Sequence, residues 1–137
     1  MTTDAIVTEA EDLVRSLAAA LTTPQDGECL LCFVRRQLDE FGCDCTLRFA
    51  KRYRDAVAPR ATALEHRLGQ TGGFCDCEIF LNGYTLADEW WTPEREIQRD
   101  GYVELVDREP PETLPPCAHV RRASTQPCAV WVRIRRW

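Results

Sequence analysis

A chain of 137 residues, 45% hydrophobic and 28% charged, is long enough to bury one core without covalent staples. Its formal net charge of −5 argues against a dedicated nucleic-acid binder. No run approaches the roughly 18 apolar residues of a helical membrane span, so a membrane protein is not expected.

Residues 4–21 place Ile6, Ala10, Leu13, Leu17, Ala20 and Leu21 at helical spacing. Asp4 is the candidate N-cap, and Pro24 lies past the end. The same stretch has neither the basic region nor the apolar run of a signal peptide. A cytoplasmic location follows as the expectation, and there thiols stay reduced. Residues 28–41 predict a second helix, with Leu31, Val34, Leu38 and Phe41 as its stripe and Gly42 as a left-handed cap. Residues 46–57 predict a third, capped by Thr46 or Asp44, with Leu47, Ala50, Tyr53 and Val57 on one side. Residues 60–69 predict a fourth. Gly72 and Gly73 then make a sharp turn, and "CEIFLN" reads as a short strand. Strands are also predicted at 102–106 and 129–137, with a proline-rich extended segment, "REPPETLPPC", between them. The class expected is α+β: about four N-terminal helices, then a small antiparallel β-containing part. Three regions result, an N-terminal helix (1–27), a cysteine-rich core (28–83) and a β-containing segment (84–137).

Eight cysteines demand an explanation in a chain that can fold without staples. They fall as C-x2-C (Cys29, Cys32), C-x-C (Cys43, Cys45), C-x-C (Cys75, Cys77) and two singles, Cys117 and Cys128. Closely spaced thiols in a reducing compartment read first as metal ligands. Four sulfurs about 2.3 Å from one zinc ion stand roughly 4 Å from one another. A helix over 28–41 would hold Cys32 and Cys43 about 16 Å apart at ~1.5 Å per residue, so these two pairs belong to different sites. Antiparallel packing of the third and fourth helices returns their flanking turns to the same end. The primary site expected is therefore Cys43, Cys45, Cys75 and Cys77, with Asp44 and Asp76 as caps or acceptors beside it. The remaining thiols, Cys29, Cys32, Cys117 and Cys128, make a second site by arithmetic, with His119 as a substitute ligand. Zinc, one or two ions, is the cofactor expected, and an iron–sulfur cluster is the weaker alternative with the same four thiolates.

The stretches "GCDCTLRFAKRYRD" and "GGFCDCEIFLN" resemble the bacterial DUF2695 family, a domain of unknown function, over about residues 28–83. Members often carry histidine at the position that is Cys45 here. The resemblance thus implies a Cys/His exchange of the kind a zinc ligand tolerates. It implies no activity.

Three functions compete. A closed four-thiolate zinc site is structural and points to a non-enzymatic interaction or regulatory domain, with a protein partner. An enzyme would need an open metal or a reactive thiol pair, yet the chain has two histidines and no H-E-x-x-H, nucleophile elbow or phosphate loop. A nucleic-acid module finds support only in "HVRRAS" and "VRIRRW", within a terminal segment (117–137) of five basic and no acidic residues. Trp90-Trp91 serves either as an anchor for the C-terminal part or as a partner site.

Overall fold

In the computed structural model, which describes residues 3–135, helices come first and two small sheets follow. The helices are α1 (Thr3–Thr22), α2 (Leu30–Phe41), α3 (Arg48–Val57), α4 (Leu64–Gln70) and the single turn α5 (Asp76–Glu78), which continues as a π-helical turn over Ile79–Gly83. The strands are β1 (Tyr84–Leu86), β2 (Arg95–Arg99), β3 (Tyr102–Val106) and β4 (Trp131–Arg133). β1 pairs antiparallel with β4, and β2 with β3. The α+β expectation holds.

The core forms where α2, α3 and α4 turn their stripes together. Leu30, Phe33 and Val34 meet Phe49, Ala50 and Tyr53, and Leu64, Leu68 and Ile79 complete the cluster. Leu86, Val130 and Trp131 bring the β1–β4 sheet onto it. Tyr53 is fully buried, and its hydroxyl donates to the Glu28 carbonyl at 2.8 Å. The Ser124 carbonyl lies 3.2 Å from the same hydroxyl. A buried phenol needs such a partner, and here one partner lies just before α2 and the other in the irregular segment between β3 and β4.

α1 joins this body at its C-terminal end. Arg36 donates to the Leu21 carbonyl at 2.9 Å and the Thr23 carbonyl at 3.0 Å, and the buried Gln37 donates to Leu21 at 2.7 Å. A cation on the last carbonyls of a helix satisfies groups that have no intrahelical partner. Arg36 is itself held by Glu28, at 2.9 Å. The apolar stripe of α1 stays exposed, at 53% for Ile6, 61% for Leu13 and 57% for Leu17.

Gly42 closes α2 at φ 73°, its N–H bonded to the Leu38 carbonyl at 2.9 Å. The cap expected for α3 is corrected. The N-cap residue is Leu47, with no side-chain bond, and Asp44 instead accepts from the Thr46 N–H. The capping group comes from across the fold. Asp76 is wholly buried and accepts from the N–H groups of Phe49 at 3.0 Å and Ala50 at 3.1 Å. Burial pushes its carboxyl up, while those two N–H bonds pull the other way.

The strand expected over "CEIFLN" is also corrected, since this stretch is helical. Of its own residues only Ile79 is buried, and with the flanking buried Asp76 and Gly83 it makes spacings of three and four. That is the helical period rather than alternation. Gly73 allows the fit, since a Cβ there would lie 3.1 Å from Ile79 Cγ1 and 3.2 Å from the Leu68 carbonyl oxygen. The strand expected at 129–137 runs only over Trp131–Arg133, and residues 136–137 lie outside the described residues. β2, unexpected, pairs with the foreseen β3 through the turn Asp100-Gly101. Trp91 donates its indole N–H to the Leu86 carbonyl at 3.0 Å, whereas Trp90 stays exposed.

Removing the Asp76 carboxylate leaves two buried N–H donors without acceptors. Asp76→Ala is therefore expected to lower stability by about 3 kcal/mol, read by denaturant unfolding. An unchanged midpoint would contradict the capping role.

Candidate metal centres

Two groups of sulfurs form, each with its members within 4.8 Å of one another: Cys29, Cys32, Cys117 and Cys128, and separately Cys43, Cys75 and Cys77. Either group could hold a metal ion. Helix α2 stands between Cys32 and Cys43, which keeps the groups apart.

The first centre is assembled on the N-terminus of α2. Cys29 is the N-cap, and its sulfur accepts the N–H of Cys32 at 3.3 Å. Cys32 follows one turn on, so both sulfurs come to the same end of the helix. Two loop segments supply the rest. The N–H of Cys29 donates to Cys117 Sγ at 3.3 Å, and Cys32 Sγ lies 3.7 Å from Cys128 Sγ. That separation is close to the ~3.8 Å edge of a tetrahedron of sulfurs ~2.3 Å from zinc. The Trp131 indole N–H donates to Cys32 Sγ at 3.3 Å, and the His119 N–H to Cys117 Sγ at 3.3 Å. Every one of these donors favours a sulfur that carries negative charge. His119 itself lies outside the group of four.

Electrostatics fit a cation. The hydrogen bond from the Cys32 thiol, aided by backbone N–H groups and opposed by burial, lowers the Cys29 thiol to about 5. Cys32 is pushed far up, first by the proton it shares with Cys29 and then by burial. Burial raises Cys128 as well. Burial and the shared proton work against charging Cys32 and Cys128 beside a Cys29 thiolate, and a divalent ion at the focus of the four sulfurs would offset that cost.

The second centre lies in two turns. Cys43 follows the C-terminus of α2, while Cys75 and Cys77 flank Asp76 at the start of α5. Cys75 Sγ and Cys77 Sγ are 3.3 Å apart, and Cys75 also approaches Glu78 Oε1 at 3.3 Å. Cys75 is buried, Cys77 half-buried and Cys43 exposed. Burial raises the Cys75 thiol to about 12. Burial works against the Cys43 thiolate too, but N–H groups of Cys77 and Cys45 and the two facing thiols outweigh it, and its pKa falls. Cys45, expected as a fourth donor, stands outside this group with its thiol exposed. Its backbone N–H donates to Cys43 Sγ at 3.4 Å. Sequence reasoning missed Trp131 as a donor to sulfur, because nothing local to "VWV" marks it.

A family model described as "Protein of unknown function (DUF2695)" matches residues 30–82. Uncharacterised proteins of Mycobacterium bovis and Mycobacterium tuberculosis are 40% identical to it over 74 residues, which is 53% of this chain and 73% of theirs. No solved structure matches.

Exposure and thiolate character together rank the cysteines for alkylation. In the native protein under reducing conditions, brief maleimide treatment is expected to label Cys43 before Cys29, because Cys43 is exposed whereas Cys29 is 0% exposed despite its lowered pKa. Mass mapping of the labelled peptides checks the order. Early labelling of Cys29 would contradict the burial of the first centre.

Proposed function

The chain belongs to the DUF2695 family, whose description carries no activity, and from its own geometry we propose a zinc-stabilised, non-enzymatic interaction or regulatory protein. Zinc ions sit in both thiol clusters. One observation carries the reading: four sulfurs from residues as far apart as Cys29 and Cys128 lie within 4.8 Å of one another. Backbone and indole N–H groups aim at three of those sulfurs. Zinc suits this donor set because four thiolates satisfy its tetrahedral preference and no redox change is needed. A closed sphere of that kind leaves no position for substrate water, so the first centre is structural.

Its weight in the fold is large. Structural zinc contributes about 10–16 kcal/mol in small zinc domains. A domain's whole stability is about 5–15 kcal/mol. The ion therefore decides whether the segment bearing Cys117 and Cys128 stays on α2. Protons compete with zinc for thiolates, so affinity falls as pH falls, and stability falls with it.

The protein-partner reading draws on α1. Ile6, Leu13 and Leu17 of its apolar stripe are more than half exposed, and four acidic side chains against one arginine accompany them. That balance disfavours nucleic acid and anionic lipid, and among the described residues no helix is long and apolar enough to cross a membrane. A cytoplasmic location accords with reduced thiols.

Elemental analysis of protein purified under reducing conditions is expected to give close to two zinc ions per chain. Chelation should lower the melting temperature steeply, and Cys117→Ser and Cys128→Ser should each lose one ion. Metal-free protein with an unchanged melting curve would overturn the reading.

A further inference from the structure

The two centres use the same local device with different sulfur counts. Cys43 and Cys117 each precede by two positions a non-glycine residue in the left-handed region, Cys45 at φ 68° and His119 at φ 67°. In both turns that residue's N–H donates to the sulfur behind it, at 3.4 Å and 3.3 Å. A left-handed L-residue costs on the order of 1 kcal/mol, and here the conformation delivers an N–H to a ligating sulfur. In the first centre His119 has this task and the group of four is complete without its ring. A Cβ placed on Gly27 would meet the His119 Nδ1 at 3.1 Å, so that ring packs closely against the loop before α2. Cys45 holds the equivalent position in the second centre, and there the group stops at three sulfurs. Glu78 touches Cys75 but is not among the donors lying within 4.8 Å of one another.

We propose that the second centre binds its metal ion through three thiolates, Cys43, Cys75 and Cys77, and keeps a fourth position open to an exogenous neutral nitrogen donor of the imidazole type. The inference rests on the reading of both clusters as metal sites. Access comes from the Cys43 side, which is exposed, whereas Cys75 is 5% exposed. Charge selects the ligand. Three thiolates already exceed a divalent ion by one negative charge, and a neutral donor adds none. Imidazole nitrogen is also a good ligand for zinc and cobalt. Cys45 acts as a positioning residue through its backbone, and its thiol is dispensable.

Cobalt(II) titration of the full chain, followed by absorption, tests this. Sulfur-to-cobalt charge-transfer intensity should correspond to seven thiolates for two ions, four at one centre and three at the other. Added imidazole should shift the visible bands of one ion and leave the other's unchanged. Cys45→Ser, at an exposed position, should keep the ion count, the intensity and the shift. Cys43→Ser should lose one ion and abolish the imidazole response, while the bands of the four-thiolate ion remain. An intensity of eight thiolates that falls by one in Cys45→Ser would overturn the proposal and leave the metal reading intact. So would two bound ions that are both indifferent to imidazole. Failure to bind cobalt at either centre would overturn the metal reading itself.

Discussion

The convergence of Cys29, Cys32, Cys117 and Cys128 is the constraint on which the rest of the molecule depends. Residues 107–130 contain neither helix nor strand, so no ladder of their own orders them. Fixing a backbone costs about 1–2 kcal/mol per residue, and irregular chain recovers little of that locally. Besides bonds to Asp88, Thr92, Arg67 and Ala87, this segment is pinned by sulfur contacts at Cys117 and Cys128, the Val120 N–H on the Gly27 carbonyl, and the Tyr53 hydroxyl beside the Ser124 carbonyl. These last points gather at the N-terminus of α2. An ion among the four sulfurs would tie together both loop segments and the helix on which the core is built.

The second centre is joined to the fold in a different way. Asp76, between two of its sulfurs, supplies the buried cap of α3, and its own N–H donates to the Thr46 carbonyl at 3.0 Å. The Cys43 turn leads directly into that helix. The geometry of the thiols and the orientation of α3 are therefore set by the same few bonds, and a shift in one moves the other. The contrast in burial between the centres follows: the first is enclosed by the terminal segment, whereas the second closes only a helix turn at the surface.

How much of this was legible depended on the range of the interactions. The length of α2 could be read from its stripe and from Gly42, and that alone separated Cys32 from Cys43 into different centres. The pairing of Cys29 and Cys32 with Cys117 and Cys128 followed only from the thiols left over, since nothing near residue 117 or 128 points to α2. The "CEIFLN" stretch misled because four apolar residues within six positions carry no decisive period. The β2–β3 hairpin was legible in principle from Asp100-Gly101, a strong hairpin turn signal. The left-handed backbone at Cys45 and His119 was not, because neither residue type announces it.

Hydrogen–deuterium exchange, compared between metal-loaded and chelated protein, tests the central claim most directly. Chelation should remove protection from residues around Cys29 to Cys32, from 117–120 and from 128–133 together, as one cooperative unit. Protection unchanged in these three segments after complete metal removal would contradict it.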